Sequence, residues 1–578
     1  MNTTTSRRTF LKTAAAGSAV LGAGFAAACS QRDEAGEALA AGDLARAERI
    51  MGLEYTAAER QQILAEIEDQ ITAMHRVRAL SPPNHLAPAQ TFDPRLPEKD
   101  YGPQENFVNL AATPASNLPG DEVDIAFAPL TALSHWVQGG RISSRDLTEI
   151  YLKRIETHAP ALECFVTVTA DMARRQAIQA DIELAAGKNR GPLHGIPFGL
   201  KDLMDVDGTP TTWGATPYKD RVAKGNAAVY DKLREAGAVL LGKTTCGAIA
   251  YGDIWFGGVT RNPFNPLEGS SGSSAGSASA TAAGLCGFAI GTETLGSIVS
   301  PSNRCGTTGL RPTFGRVSRV GAMALCWSLD KVGAICRSVE DTALVLAAIN
   351  GFDRGDAGSL EMGFSYDGRK SLEGTRIGYM PAAFESDDAT DVDNACLEAA
   401  RSAGLNLVEL ALPELPYEAM VQYLIAEAAA AFEELTLSGK DDELVWQENR
   451  SWPNGWRTVR FLSAVDLINI DRLRRRVMGI MDQVFDQVEV IIGPNFAASM
   501  LTITNFTGHP QLALRGGFRE LATRPRFGGH QQAEGVTHRV PQAFSVFGPL
   551  FGEGDVLRVG RLLEQELGVA GERPTAFS

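Results

Sequence analysis

The sequence is poor in the features that mark several classes of protein. It has eight cysteines among 578 residues, and no two form a C-x-x-C pair. Cys164, Cys246, Cys286, Cys305, Cys326, Cys336 and Cys396 sit mostly in apolar or glycine-rich segments. They read as small buried hydrophobes rather than a disulfide or zinc framework. Histidine is scarce as well, at eight residues with no H-E-x-x-H, so no metal-ligand spacing is present. Basic residues do not dominate: the formal net charge is −15. That balance disfavours nucleic acid or anionic lipid as a partner. No apolar run reaches the roughly 20 residues that span a bilayer. With 44% hydrophobic and 21% charged residues, the chain is globular. Its length suits one large enzyme core with an appendage, or roughly two to four domains.

Residues 1–28 read as a targeting segment. Ser6-Arg7-Arg8-Thr9-Phe10-Leu11-Lys12 matches the twin-arginine export signature. An apolar stretch over 13–25 follows, then Ala26-Ala27-Ala28, small residues that suit cleavage. An ordinary N-terminal helix is the plainer reading, and the paired arginines argue against it. The expected destination is the periplasm or cell envelope. Cys29 comes next and is a candidate for a lipid anchor, although Ala26 stands where a lipobox usually has Leu.

Residues 29–127 read as a helical and extended N-terminal extension. Thr56-Ala57-Ala58-Glu59 is a capping-box pattern. Ile63, Leu64, Ile67, Ile71, Met74 and Val77 recur at helical spacing. One apolar stripe suits a helix laid on the main domain or a contact in a homodimer, so monomer and homodimer both stand. Ser81-Pro82-Pro83 should stop this helix, because proline lacks the donor and fixes φ. Residues 84–117 read as an extended strap.

From 128 to 570, helical and strand patterns alternate, which predicts an α/β fold. Residues 129–136, 144–156 and 227–237 look helical, and 196–200 and 239–243 look like buried strands. The first of these strands delivers Lys201 at its end. A lysine there is usually a solvated charge. Phe198, Leu200 and Leu203, however, place this stem in apolar surroundings. Further on, 375–379, 488–494 and 511–514 read as strands, and 395–403, 427–437 and 467–488 as helices. Trp446, Trp452 and Trp456 are three of seven tryptophans. They form either packed core and surface or a wall of a substrate funnel.

The stretch over 268–311 organises the chain. Its first half is rich in Gly, Ser, Ala and Thr, with serine turns at 271–277 and 295–297. A flexible linker would have this composition, but the run passes straight into an apolar segment suited to a buried helix and a strand. A phosphate loop would need a Gly-Lys-Ser/Thr ending or G-x-G-x-x-G, and neither is present. Small residues here let backbone N–H groups approach a reacting atom, with serine hydroxyls beside them.

Three segments together resemble the amidase signature family: Gly195-Ile196-Pro197-Phe198-Gly199-Leu200-Lys201-Asp202, the 271–277 loop, and Gly291-Thr292-Glu293-Thr294-Leu295-Gly296-Ser297-Ile298. Residues 305–313 and 328–333 also fit. The resemblance implies an amidase signature fold, with a large mixed β-sheet covered by helices on both faces. It implies a Ser–cis-Ser–Lys triad: Ser297 as nucleophile, Ser273 as bridging serine after a cis peptide, Lys201 as base. It implies an oxyanion hole from the backbone N–H groups of Thr294, Leu295, Gly296 and Ser297. It puts Gly247 and Tyr251, at the ends of 247–251, near the acyl site. The chain departs from the family at Leu295, usually Gly, at Glu293, usually Asp, at Val299, often Arg, and at Ala275, usually Gly.

The chemistry agrees with that assignment. Serine alone is too weak an acid to attack an amide at neutral pH. Lysine with an ordinary pKa near 10.4 is in the wrong form to take its proton, and burial corrects this by disfavouring the ammonium. Neutral Lys201 would draw a proton from Ser273, and Ser273 one from Ser297. The expected function is a serine hydrolase of small-molecule linear amides, with esters as a side activity and no cofactor or metal. Two other readings stand beside it. One is a non-catalytic envelope solute-binding protein that keeps the fold. The other is the family's amidotransferase subunit acting on charged tRNA, which export and acidic balance disfavour. His194 and His509 compete for a Ser–His–Asp role. No G-x-S-x-G surrounds Ser297, so both read as structural.

Overall fold

The computed structural model describes residues 39–102, 104–111, 117–524 and 535–578. The targeting segment and Cys29 lie outside them. The chain divides into two compact units, 1–77 and 78–578.

In the first unit, a helix over Ala41–Met51 ends at Gly52 in the left-handed region. Arg60 grips Glu48 with two hydrogen bonds of 2.8 and 2.7 Å. The second helix, Ala57–Arg78, starts as its pattern demands. Glu59 Oε2 accepts from the Thr56 N–H at 2.7 Å, and Thr56 Oγ1 accepts from the Glu59 N–H. It ends three residues before the left-handed Ser81. None of its residues is buried.

The second unit is built on an 11-stranded mixed sheet. In chain order its strands are β1 (Phe165–Val168), β2 (Pro197–Lys201), β3 (Val239–Thr244), β4 (Phe288–Glu293), β5 (Thr308–Arg311), β6 (Lys331–Cys336), β7 (Arg376–Tyr379), β8 (Asn406–Glu409), β9 (Val490–Pro494), β10 (Gln511–Ala522) and β11 (Thr537–Phe547). Across the sheet they run β8-β7-β9-β11-β10-β5-β6-β4-β2-β3-β1. Helices pack over it, giving the expected amidase signature architecture. Toward one edge, third from the end, β2 lies parallel to both β3 and β4. Every residue of β2 and β3 is buried, which explains why they read as continuous apolar runs rather than alternating ones. Phe198 and Phe288 are register partners, and their rings stack with centroids 5.3 Å apart.

The strap is held at several points: Phe107–Asn109 pairs in parallel with Ser365–Asp367, Gln104 donates to the Phe551 carbonyl at 3.0 Å, and Asn84 ties down its start. Asn84 donates to the Ala324 carbonyl at 2.8 Å and accepts from the Ala324 N–H at 2.9 Å, while Trp327 Nε1 donates to the Asn84 carbonyl. All seven described cysteines are free and buried.

Two elements differ from expectation. The helix expected over 427–437 is two helices, Val421–Ala431 and Glu433–Ser438, parted at Phe432. The strand expected at 511–514 runs on to Ala522 and forms a long hairpin with β11, bulged between Arg515 and Gly517. Its outer half, 517–522, is only partly buried, so those residues carry no apolar run.

Candidate active site

Lys201 is the last residue of β2, and its side chain is fully buried. Its Nζ lies 2.8 Å from Ser273 Oγ, 3.0 Å from Ser274 Oγ, and 2.8 Å from Thr292 Oγ1. No carboxylate is among these contacts. Burial therefore brings the amine down to about 7.

Donor and acceptor counting gives each hydroxyl a direction. Ser274 Oγ donates to the Thr292 carbonyl at 3.0 Å and accepts from the Thr292 N–H at 3.1 Å. It therefore meets the lysine as an acceptor. A neutral amine has two N–H groups and one lone pair. With Ser274 and Thr292 taking the N–H groups, the lone pair is left for the Ser273 O–H.

Ser273 precedes the helix Ala275–Ala282, all of whose residues are buried. The Gly272–Ser273 peptide is cis. Close packing explains the glycines and alanines here. A Cβ on Gly272 would stand 1.8 Å from the Gly252 carbonyl oxygen, and one on Gly276 would stand 2.4 Å from the Thr245 nitrogen.

Ser297 follows β4, just ahead of the helix Val299–Cys305. Its carbonyl accepts from the Ser274 N–H at 3.0 Å, which ties the two serine turns together. Glu293 fixes the next turn, its Oε2 accepting from the N–H groups of Ile298 and Val299 at 2.8 and 3.0 Å. Its other oxygen takes Arg311 at 2.8 Å and Asn505 at 2.9 Å. Burial alone would raise this carboxyl, but Arg311 and the hydrogen bonds hold it below its usual value.

Between Glu293 and Ile298, the N–H groups of Thr294, Leu295, Gly296 and Ser297 have no hydrogen-bond partner among the described residues. Gly296 supplies the one left-handed residue of the turn, at φ +86. Leu295 is not left-handed, so its Cβ meets no backbone obstacle at the position where the family usually has glycine. Thr294 is anchored by donating to Asp330 Oδ1 at 2.6 Å.

Thr294, Leu295, Gly296 and Ser297 all line one cavity of about 280 Å³. Its apolar wall comes from far along the chain: Leu325, Val421, Leu424, Ile425, Phe496 and Leu501. Tyr251 and Trp452 close another side, with ring centroids 5.0 Å apart. Trp452 Nε1 donates to the Ile249 carbonyl at 2.8 Å, and thereby holds Ile249 and Ala250, both left-handed at φ 50 and 58. Trp456 is fully buried and stacks on Phe432. The tryptophan cluster is thus both core and cavity wall.

Gly247 does not line the cavity. It lies under the turn, where a Cβ would meet the Gly252 carbonyl oxygen at 2.1 Å. Close packing rather than ligand contact accounts for that glycine. Neither His194 nor His509 lines the cavity either. Burial drives His509 down to about 3, and its Nδ1 pairs with Thr507 Oγ1 at 2.7 Å.

Sequence reasoning missed Ser274, Thr292 and Arg311, which surround the lysine and the Ser297 turn. Ser274 stands beside Ser273, so its place was readable. The other two are positioned by sheet register, which has no local signal.

The sequence profile of the family described as Amidase matches residues 146–515. The chain belongs to the amidase signature family. As an amidase signature hydrolase it resembles a glutamyl-tRNA(Gln) amidotransferase subunit of Halorhodospira halophila, with 33% identity over 464 residues, 75% of this chain and 96% of that protein. Among solved structures, native peptide amidase from Stenotrophomonas maltophilia superposes with a TM-score of 0.65 at 26% identity, covering 77% of this chain and 97% of that one. A bacterial aryl acylamidase of the family shares the fold, with a TM-score of 0.64 at 24% identity, covering 77% and 99%.

Proposed function

We propose that this amidase cleaves linear carboxylic amides through an acyl-enzyme on Ser297, with Ser273 as proton relay and Lys201 as base. The observation that carries the reading is a buried, carboxylate-free amine beside Ser273, together with the backbone N–H groups of 294–297, which have no partner among the described residues. Lys201 accepts the Ser273 proton, Ser273 accepts the Ser297 proton, and Ser297 Oγ attacks the amide carbon. The carbonyl oxygen becomes an oxyanion that the Thr294, Leu295, Gly296 and Ser297 N–H groups meet. One such donor is typically worth about 3–4 kcal/mol. Collapse breaks the C–N bond, and the proton returns along the relay to the departing amine. Water then attacks the ester, giving its proton to the same relay, and Ser297 is released with a carboxylic acid.

The relatives named as glutamyl-tRNA(Gln) amidotransferase subunits favour a second reading, in which this chain serves a tRNA-linked reaction. Two observations weigh against it. The net charge of −15 gives poor electrostatic support for tRNA. Among the described residues no acidic side chain lines the cavity, so an amino-acid amide would find no partner among them for its ammonium. Export by the twin-arginine route remains part of the proposal and rests on the paired arginines of 6–12, the apolar stretch over 13–25 and the small residues 26–28. Cell fractionation of a variant in which Arg7 and Arg8 both become lysine tests it.

Turnover of purified protein on primary amides, anilides, peptide amides and esters tests the activity. Release of free amine from at least one linear amide, lost in Ser297→Ala, is the expected result. Binding without turnover would favour the solute-binding alternative.

A further inference from the structure

The proposed hydrolase reading leaves the substrate open, and the cavity wall narrows it. Apart from backbone, hydroxyls and one arginine at the rim, the space beside Ser297 is aliphatic and aromatic. At about 280 Å³ it lies just below the roughly 300–1,000 Å³ range of drug-sized ligand pockets. It therefore suits a compact apolar group. Trp452 presents only its ring, because its Nε1 is committed to Ile249.

Among the described residues the wall holds a single charged side chain, Arg450. It is exposed, and no hydrogen bond or ion pair engages it among the described residues. Guanidinium groups elsewhere in the chain are commonly paired, as Arg457 is with Asp441 and Asp442 at 2.7 Å. A free guanidinium at the rim of an otherwise uncharged cavity is placed to take a carboxylate through two parallel N–H donors.

The order of chemical steps decides which end of the substrate carries that carboxylate. The amine departs while the acyl group is still esterified to Ser297. The leaving side must therefore open to solvent, and the acyl side fills the enclosed apolar space. We infer that the substrates are N-acyl amino acids: an apolar acyl group seated against Leu295, Leu424 and Trp452, and a leaving amine whose carboxylate is held by Arg450. This rests on the hydrolase reading above and adds the substrate class to it.

Matched substrates test it. N-phenylacetylglycine and N-propylphenylacetamide share the acyl group and scissile bond and differ in the carboxylate. Wild-type protein should favour the first in kcat/KM by about tenfold at low salt, chiefly through KM. The preference should shrink several-fold in 0.5 M NaCl, because an exposed pair is screened. It should fall to near one in Arg450→Gln and return in part in Arg450→Lys. Circular dichroism and melting of each variant establish that it is folded. A wild-type ratio near one, a ratio unaffected by salt, or one unchanged in Arg450→Gln overturns the assignment. Turnover of both substrates with a ratio of one overturns only this inference. Failure of wild-type protein to cleave either of them or any other linear amide overturns the hydrolase reading itself.

Discussion

The backbone N–H of Ser274 donates to the carbonyl oxygen of Ser297 at 3.0 Å. This one bond joins the two serine turns, 23 residues apart by numbering. The helix after the first turn is fully buried. The second turn is pinned by Glu293, so neither end of the bond is on a loose loop. The hydroxyl beside the lysine and the hydroxyl at the cavity are held by the same piece of main chain.

That arrangement makes Ser274 a positioning residue for Lys201. Ser274→Ala removes an acceptor from the amine and the cross-link from its Oγ to Thr292. We expect kcat to fall by roughly 10–100-fold and the apparent pKa of the pH–rate profile to move. Lys201→Ala and Ser273→Ala should cost roughly 10³-fold or more, since they break the relay itself. Steady-state kinetics on any accepted amide, with the pH profile of each variant, check this.

Gly296 and Leu295 should respond differently, although they adjoin. At φ +86, Gly296→Ala is strained by about 1–2 kcal/mol. Its Cβ would also approach Leu501 Cδ2 at 3.3 Å. Because the N–H groups around it are displaced, kcat should drop by roughly 10²–10³-fold. Leu295→Gly asks nothing new of the backbone and removes a side chain from the cavity wall. It should widen the range of acyl groups accepted, read as kcat/KM across a series of acyl sizes.

Arg311 and Glu293 form a fully buried pair at 2.8 Å. Arg311→Met leaves that carboxylate without its cation and should destabilise the fold by about 3–5 kcal/mol. The sign with pH follows from the carboxyl lying below its ordinary value of 4.5. It stabilises the native state above the unfolded pKa, and that contribution is lost as pH falls through the folded one. The variant should therefore show its deficit at neutral pH and less of it in acid, measured by urea unfolding at each pH.

The parts of this structure that were readable in sequence are those with a local cause. Lys201 ends an apolar run that could only be a buried strand. The small residues of 271–277 announce close backbone packing, and Thr56 with Glu59 announces a helix start. The parts that were not readable are set by long-range register. Thr292 and Arg311 approach the lysine and the Ser297 turn because β4 and β5 sit where they do in the sheet. The cavity wall at 421–425 comes from a helix with no motif of its own, whereas Trp452 was legible in the tryptophan cluster as a wall of the substrate funnel. The β10–β11 hairpin escaped because its outer half is only partly buried and carries no apolar alternation. Gly247 was placed near substrate by resemblance, and packing against Gly252 explains it instead.

The central claim is that a neutral, buried Lys201 activates Ser297 through Ser273. Labelling by a small sulfonyl fluoride, followed by intact mass and peptide mapping across pH, tests it most directly. The account predicts one adduct, on Ser297. Its rate should rise about tenfold per pH unit below the lysine value of about 7 and level off above it, with labelling abolished in Lys201→Ala. An adduct on another residue, or labelling of Ser297 that is indifferent to Lys201 and to pH in this range, would contradict it.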